Sequence, residues 1–135
     1  MDKVLLDTSG LFALFNPDDV YHKQSLKINN SLIHRQASLI LPNFLLAETH
    51  TIINKRLGSR PAREFLNAAL LDFQIERITI EDEWAAHAML QTTSRQRSLS
   101  YFDAVAIALA ERLGIHEVFS FDRHFHMMGL KLSEP

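Results

Sequence analysis

Apolar and polar positions along this chain change their period repeatedly, and each change marks an element. Val4-Leu5-Leu6 is an apolar run without alternation, the pattern of a strand buried on both faces. Thr8–Phe15 follows as a short helix stopped near Pro17, and residues 22–36 read as a longer one. Residues 38–41 predict a second strand. Asn43–Leu57 predicts a helix with Gly58 as its stop. Residues 59–71 are helical, with Pro61 tolerated in the first turn, and residues 73–78 alternate like a strand.

Thr79 and Asp82 have the spacing of a capping box and open a helix running to about Thr93. Residues 94–100, rich in Ser and Arg, predict a loop. Tyr101–Leu113 predicts a helix ended by Gly114. Residues 117–121 read as a strand, 123–128 as a short helix and 130–132 as a last strand. Strands alternating with helices imply a three-layer α/β/α sandwich around a mostly parallel sheet, here one domain over residues 1–135. In such folds functional groups collect beyond the carboxyl ends of the strands.

Four acids break the pattern. Asp7 ends the first apolar run, and Asp122 ends Val118-Phe119-Ser120-Phe121. Glu48 shares a helical face with Phe44, Leu45 and Ile52, and Asp103 shares one with Ala106 and Ile107. Bland roles exist for three of them. Asp7 and Asp122 stand where helix caps stand, and Asp103 lies three residues after Ser100, again a capping-box spacing. Taken together they suggest more. Four carboxylates in one cleft would repel one another strongly without a counter-charge, and a hard cation such as Mg²⁺ or Mn²⁺ suits an all-oxygen site. That chemistry points to metal-assisted hydrolysis of a phosphodiester.

Composition narrows the choice. A chain of 135 residues suits one core, and the absence of cysteine removes disulfides, thiolate zinc sites and Cys nucleophiles while fitting a cytoplasmic setting. Asp2 and Asp7 bracket an apolar run too short for a signal peptide, and no segment has the length of a membrane span. The net charge of −2 looks wrong for a nucleic-acid binder. Yet the four acids account for −4, so the rest of the chain carries +2 and a polyanionic substrate is not excluded.

On Val4-Leu5-Leu6-Asp7-Thr8-Ser9, Leu46-Ala47-Glu48, Tyr101-Phe102-Asp103-Ala104 and Phe119-Ser120-Phe121-Asp122-Arg123-His124-Phe125, the chain resembles the PIN-domain family of metal-dependent ribonucleases, especially the small VapC-type toxins. Order and spacing match along essentially the whole chain. The resemblance implies that Asp7, Glu48, Asp103 and Asp122 form a metal-binding catalytic cluster. It implies that Ser120 steadies this cluster by hydrogen bonding. Thr8 and Ser9 match the polar pair after the first acid, or serve simply as helix-start residues. It further implies an RNA substrate cut to leave a 3′-hydroxyl and a 5′-phosphate, an antitoxin partner for a toxin, and a homodimer.

Other residues are weighed beside these. Asp122-x-His124-x-His126 is a poor zinc pattern, because alternate residues on a helix do not face one another. Arg95 and Arg97, in the loop before Asp103, and Arg123 are the candidates to bind RNA. Lys55, Arg56, Arg60 and Arg63 could line the same phosphate path, although an ordinary solvated surface is the stronger reading for any one of them. Phe44, Trp84, Phe102 and Phe125 are expected in the core, whereas Leu11, Phe12, Leu14 and Phe15 suggest a self-association surface on the first helix. A phosphoacceptor signalling domain needs paired acids after its first strand, and here Thr8 follows Asp7. A catalytically silent RNA- or protein-binding module is the alternative, opposed by an intact acidic quartet.

Overall fold

The computed structural model describes residues 2–92 and 99–135. Its elements are β1 (Lys3–Leu6), α1 (Thr8–Phe15), α2 (His22–His34), β2 (Ser38–Pro42), α3 (Asn43–Leu57), α4 (Ser59–Asp72), β3 (Gln74–Glu76), α5 (Ile80–Thr92), α6 (Tyr101–Leu113), β4 (Glu117–Phe119), α7 (His124–Met127) and β5 (Lys131–Leu132). The strands form one sheet in the order β3-β2-β1-β4-β5, and every neighbouring pair is parallel. Leu5 lies opposite Ile40 on one side and Val118 on the other, so the centre of the sheet is wholly apolar.

The order of the strands fixes the layers. From β1 the chain steps outward to β2 and β3, then returns across the sheet to β4. Right-handed crossovers therefore put α1 to α4 on one face and α5 and α6 on the other. The packing agrees: α1 contacts α2 and α3, α3 contacts α4, and α5 contacts α6. No helix among the described residues is long and apolar enough to cross a membrane.

Helix α6 shows how the sequence specifies its element. Ser100 caps it by accepting from the Asp103 amide at 3.1 Å, Ala104 to Ala110 are all buried, and Gly114 ends it in the left-handed conformation. Helix α5 opens on a reciprocal box, in which the Thr79 amide donates to Asp82 Oδ2 at 2.9 Å and the Asp82 amide donates to Thr79 Oγ1 at 3.1 Å.

Asp82 also locks α5 to α6. Arg112 Nε and Nη2 donate to its two carboxylate oxygens at 2.9 and 3.0 Å, and the Asp82 side chain is only 2% exposed. Desolvation pushes the Asp82 carboxyl up, but Arg112 and Thr79 outweigh it and hold it below the usual carboxylate range. Arg112→Met is expected to destabilise the fold by about 3 kcal/mol, because it strands a buried charge. A lowered carboxyl stabilises above its unfolded value and loses that contribution as pH falls through the folded one. The acid limb of unfolding should therefore weaken in Arg112→Met, as read by denaturant titration at several pH values.

Several expectations need correction. Helix α2 stops at His34, because Gln36 takes a left-handed φ of 56°. The third strand is only Gln74–Glu76, and the fourth ends at Phe119 rather than continuing to residue 121. Beyond Phe119, side-chain hydroxyls take the place of the ladder: the Phe121 amide donates to Ser9 Oγ and the Asp122 amide to Ser120 Oγ, both at 2.9 Å.

Helix α1 offers less association surface than expected: Leu11 and Phe12 are buried, while Leu14 and Phe15 are half-buried at a hollow with Ile33 and Phe73. A Cβ on Gly10 would lie 2.5 Å from the Phe119 carbonyl oxygen, so the helix presses directly on the end of β4. Leu11, Phe12 and Ala13 are buried as a result, and Phe15 packs edge-on against Phe65 at 5.2 Å. Conversely, Trp84 is 67% and Phe102 49% exposed, so neither is core. Trp84 stands exposed on α5, while Phe102, at the start of α6, stacks on Phe44 of α3 at 5.7 Å and keeps half its surface in solvent. Phe125 is buried as expected and Phe44 half-buried.

Candidate active site

All four singled-out acids line one cleft of about 470 Å³, with Thr8, Ser9, Phe12, Asp19, Tyr21, Ile52, Arg56 and Phe121. Asp7 and Asp122 reach it from the ends of the adjacent parallel strands β1 and β4, where the winding of the sheet reverses. Glu48 comes from the second turn of α3 and Asp103 from the first turn of α6.

Asp7 is the most constrained. It caps α1, and its Oδ2 accepts from the Ser9 amide at 3.3 Å, Ser9 Oγ at 2.9 Å and Ser120 Oγ at 2.8 Å. Ser9 and Ser120 can both give their protons to this oxygen because each hydroxyl already accepts a backbone amide, from Phe121 and Asp122 respectively. None of the described hydrogen bonds uses Oδ1, which leaves that oxygen for a ligand in the cleft. Capping and membership of the acidic cleft are therefore the same arrangement, since different oxygens serve each. Burial pushes the Asp7 carboxyl up, its three hydrogen bonds pull it down, and nearby Asp103 pushes it up again; the net direction is upward.

Glu48 is held differently. Thr49 Oγ1 donates to Thr8 Oγ1 at 3.1 Å, and Thr8 Oγ1 donates to Glu48 Oε1 at 2.6 Å. Thr49 is fully buried, so this relay fixes the carboxylate from inside the protein. Thr8 and Ser9 thus do more than start a helix: each is bonded to a cleft acid.

Asp103 is half-buried, and desolvation followed by the charge of Asp122 raises its carboxyl despite the opposing Ser100 hydrogen bond. Asp122 Oδ1 accepts the His124 amide at 3.0 Å and pairs with His124 Nδ1 at 2.7 Å. Asp103, Asp122 and His124 each offer one potential ligand atom, all within 4.8 Å of one another. Asp7 and Glu48 line the same cleft outside that tighter group. A donor set this rich in carboxylate oxygen fits a hard divalent cation.

Two expectations about neighbouring residues change. His124 does reach Asp122, because Asp122 precedes α7 and the helical spacing argument does not apply to it. His126 turns away into a separate hollow with Lys131 and Glu134, so the Asp-His-His set is not formed. Arg123 lines that second hollow and not the acidic cleft, since successive side chains in the turn after Ser120 diverge. Arg95 and Arg97 lie outside the described residues.

Sequence reasoning missed Asp19, Tyr21, Ile52, Phe12 and Phe121 as cleft residues and named Arg56 only as one of several basic residues that could line a phosphate path. Arg56 carried a signal: it stands at i+8 from Glu48, with Ile52 between them, on one helical face. Asp19 and Tyr21 carried none, because a loop brings them in.

A family model for the PIN domain matches residues 4–130. The chain is 28% identical over 133 residues to the 23S rRNA-specific endonuclease VapC20 of Mycobacterium tuberculosis, covering 98% of each. The crystal structure of VapC20, a sarcin–ricin-loop-cleaving toxin, superposes with a TM-score of 0.85 over 98% of this chain and 99% of that one. VapBC2 from Rickettsia felis, bound to a DNA fragment from its promoter, matches with a TM-score of 0.72 at 16% identity over 97% of each chain. A toxin–antitoxin complex from Klebsiella pneumoniae matches with a TM-score of 0.60 at 18% identity over 89% of this chain and 87% of that one. The last two likenesses establish shared fold.

Proposed function

The chain belongs to the PIN-domain family, and from that premise we propose that residues 1–135 act as one divalent-metal-dependent endoribonuclease. The observation that carries this reading is the meeting of four acids, from four separate parts of the chain, in one cleft at the carboxyl edge of the sheet. In it Asp7, Glu48, Asp103 and Asp122 are the catalytic and metal-holding groups. Mg²⁺ or Mn²⁺ bound there supplies an activated water near neutral pH and positive charge beside the phosphate.

The protein's own residues do the rest. Ser9 and Ser120 fix the Asp7 carboxylate, Thr8 fixes that of Glu48, and His124 braces Asp122. Nothing in this scheme needs a Ser, Cys or His nucleophile. The cleft admits an unstacked backbone more readily than a duplex, so looped or single-stranded RNA is the proposed substrate class, in line with the rRNA loop cut by VapC20. The test is cleavage of looped against fully paired RNA by purified protein with Mg²⁺ or Mn²⁺. EDTA is expected to abolish cutting and added metal to restore it. Cutting that persists in EDTA would overturn the metal-dependent scheme.

A cytoplasmic toxin held by an antitoxin is the cellular setting we propose, on the strength of the family and its toxin members. We also propose a homodimer. Its support is the apolar surface left uncovered on α5 and the start of α6, where Ile80, Trp84 and Tyr101 are exposed around a shallow hollow. Sedimentation at micromolar concentration should show a dimer that Trp84→Lys converts to monomer. A wild type that sediments as a monomer removes this part of the proposal alone.

A further inference from the structure

We propose that Arg56 forms a phosphate-binding subsite for single-stranded RNA, gripping a backbone phosphate that neighbours the one being cut. The inference rests on the nuclease reading and adds a residue which that reading does not use.

The charge pattern of the cleft is the first ground. Five carboxylates line it, those of Asp19 and the four acids, and Arg56 is the one basic side chain among its described lining residues. In such surroundings an exposed guanidinium would be expected to fold onto a carboxylate. It does not. Arg56 makes no ion pair among the described residues; its Cζ sits 5.5 Å from the centroid of the Phe12 ring. Phe12 is only 9% exposed and anchored in α1, so the ring is a fixed support. Contact with an aromatic face occupies the flat side of a guanidinium and leaves its N–H edge for an incoming anion, which for Arg is the bidentate geometry of phosphate recognition.

Position is the second ground. Glu48, Ile52 and Arg56 succeed one another on one face of α3, which places Arg56 about 12 Å along the axis from Glu48. The two side chains line one cleft from positions about two turns apart, which suits Arg56 to a backbone phosphate other than the one at the acids. Tyr21 marks another part of the path. Its ring stacks on Phe121 at 4.4 Å with 8° between planes, beside Asp122, and remains 45% exposed. A base adjoining the cut has there an aromatic surface on which to stack.

The competing account is that Arg56 merely complements the carboxyl end of α3, as a basic residue in a last turn does. Lys55 serves that role equally and does not line the cleft. The two accounts part in kinetics. The wild type, Arg56→Gln, Arg56→Lys and Lys55→Gln are compared for kcat, KM and melting temperature on a short single-stranded RNA with Mn²⁺, across a salt series.

Arg56→Gln is expected to raise KM about tenfold with kcat nearly unchanged, as loss of a charged hydrogen bond made equally in ground and transition states requires. Its slope of log KM against log salt should be shallower by about 0.7, one single-strand phosphate contact. Arg56→Lys should keep that slope, and Lys55→Gln should match the wild type. Equal KM and slope in Arg56→Gln and wild type, with the wild type active, overturns the subsite and leaves the nuclease reading intact. The subsite is equally overturned if Lys55→Gln behaves as Arg56→Gln does. A wild type that neither cuts nor binds the RNA overturns both.

Discussion

Asp7→Asn is expected to lower the rate of RNA cleavage by roughly 10²–10³-fold, the scale on which removing one preorganised electrostatic contact slows an enzyme. The two carboxylate oxygens have separate tasks. Oδ2 accepts three donors from Ser9 and Ser120 and caps α1, a task that asparagine performs as well as aspartate. The loss therefore falls on the charge and on Oδ1, and the metal-free melting temperature should rise rather than fall, because burial disfavours that charge. Asp7→Ala removes cap and charge together and should cost about 1 kcal/mol of stability besides the activity. Ser120→Ala leaves the acid in place but takes away one orienting donor, for which about tenfold is expected. Initial rates on structured RNA, with all variants prepared identically, decide the matter. Equal cutting by wild type and Asp7→Asn would identify a contaminating nuclease and remove support for the enzyme.

The second large effect is on stability. Mg²⁺ or Mn²⁺ should raise the melting temperature along a saturable curve, by about 2.7 kcal/mol when the ion is at a hundred times its Kd, which is several degrees for a domain of this size. Asp103→Asn should flatten that curve while stabilising the metal-free protein. The pH dependence has a definite sign. Burial, then neighbouring acids, raise Asp7 and Asp103, so the native state keeps protons that the unfolded chain has released. Metal-free stability must then decline as pH rises from the ordinary carboxylate range through the raised values. Asp103→Asn should make the decline smaller. No response to either ion at millimolar concentration would sink the metal site.

Where the sequence was legible, local chemistry and long-range packing asked for the same residue. Val4 to Leu6, the Thr79–Asp82 box, Ser100 and Gly114 each serve their element and the whole fold alike. The four acids stood out for the opposite reason, as charges at positions that packing wants apolar. What stayed hidden depended on how distant segments meet. Nothing local says that β4 stops at Phe119, because the hydroxyl that ends it belongs to Ser9. The burial of Leu11 and Phe12 follows from Gly10 lying against Phe119, a contact between opposite parts of the chain. Trp84 and Phe102 were misplaced because large aromatic residues are usually buried, and these two face solvent. Arg56 was one of several basic candidates, and only its place on the Glu48 face of α3 separates it from Lys55.

The strand order has a consequence for how the protein is made. With β1 at the centre and β4 beside it, the cleft joins residues near the start of the chain to others more than a hundred positions later. A nascent chain that ends before residue 100 holds Asp7 and Glu48 without Asp103 or Asp122, and without the hydroxyl of Ser120. Domains build from the amino end as they are synthesised, but here α6 and the turn after β4 are needed to complete the cleft. The cleft is therefore unfinished until β4 and the turn bearing Asp122 have joined the sheet beside β1.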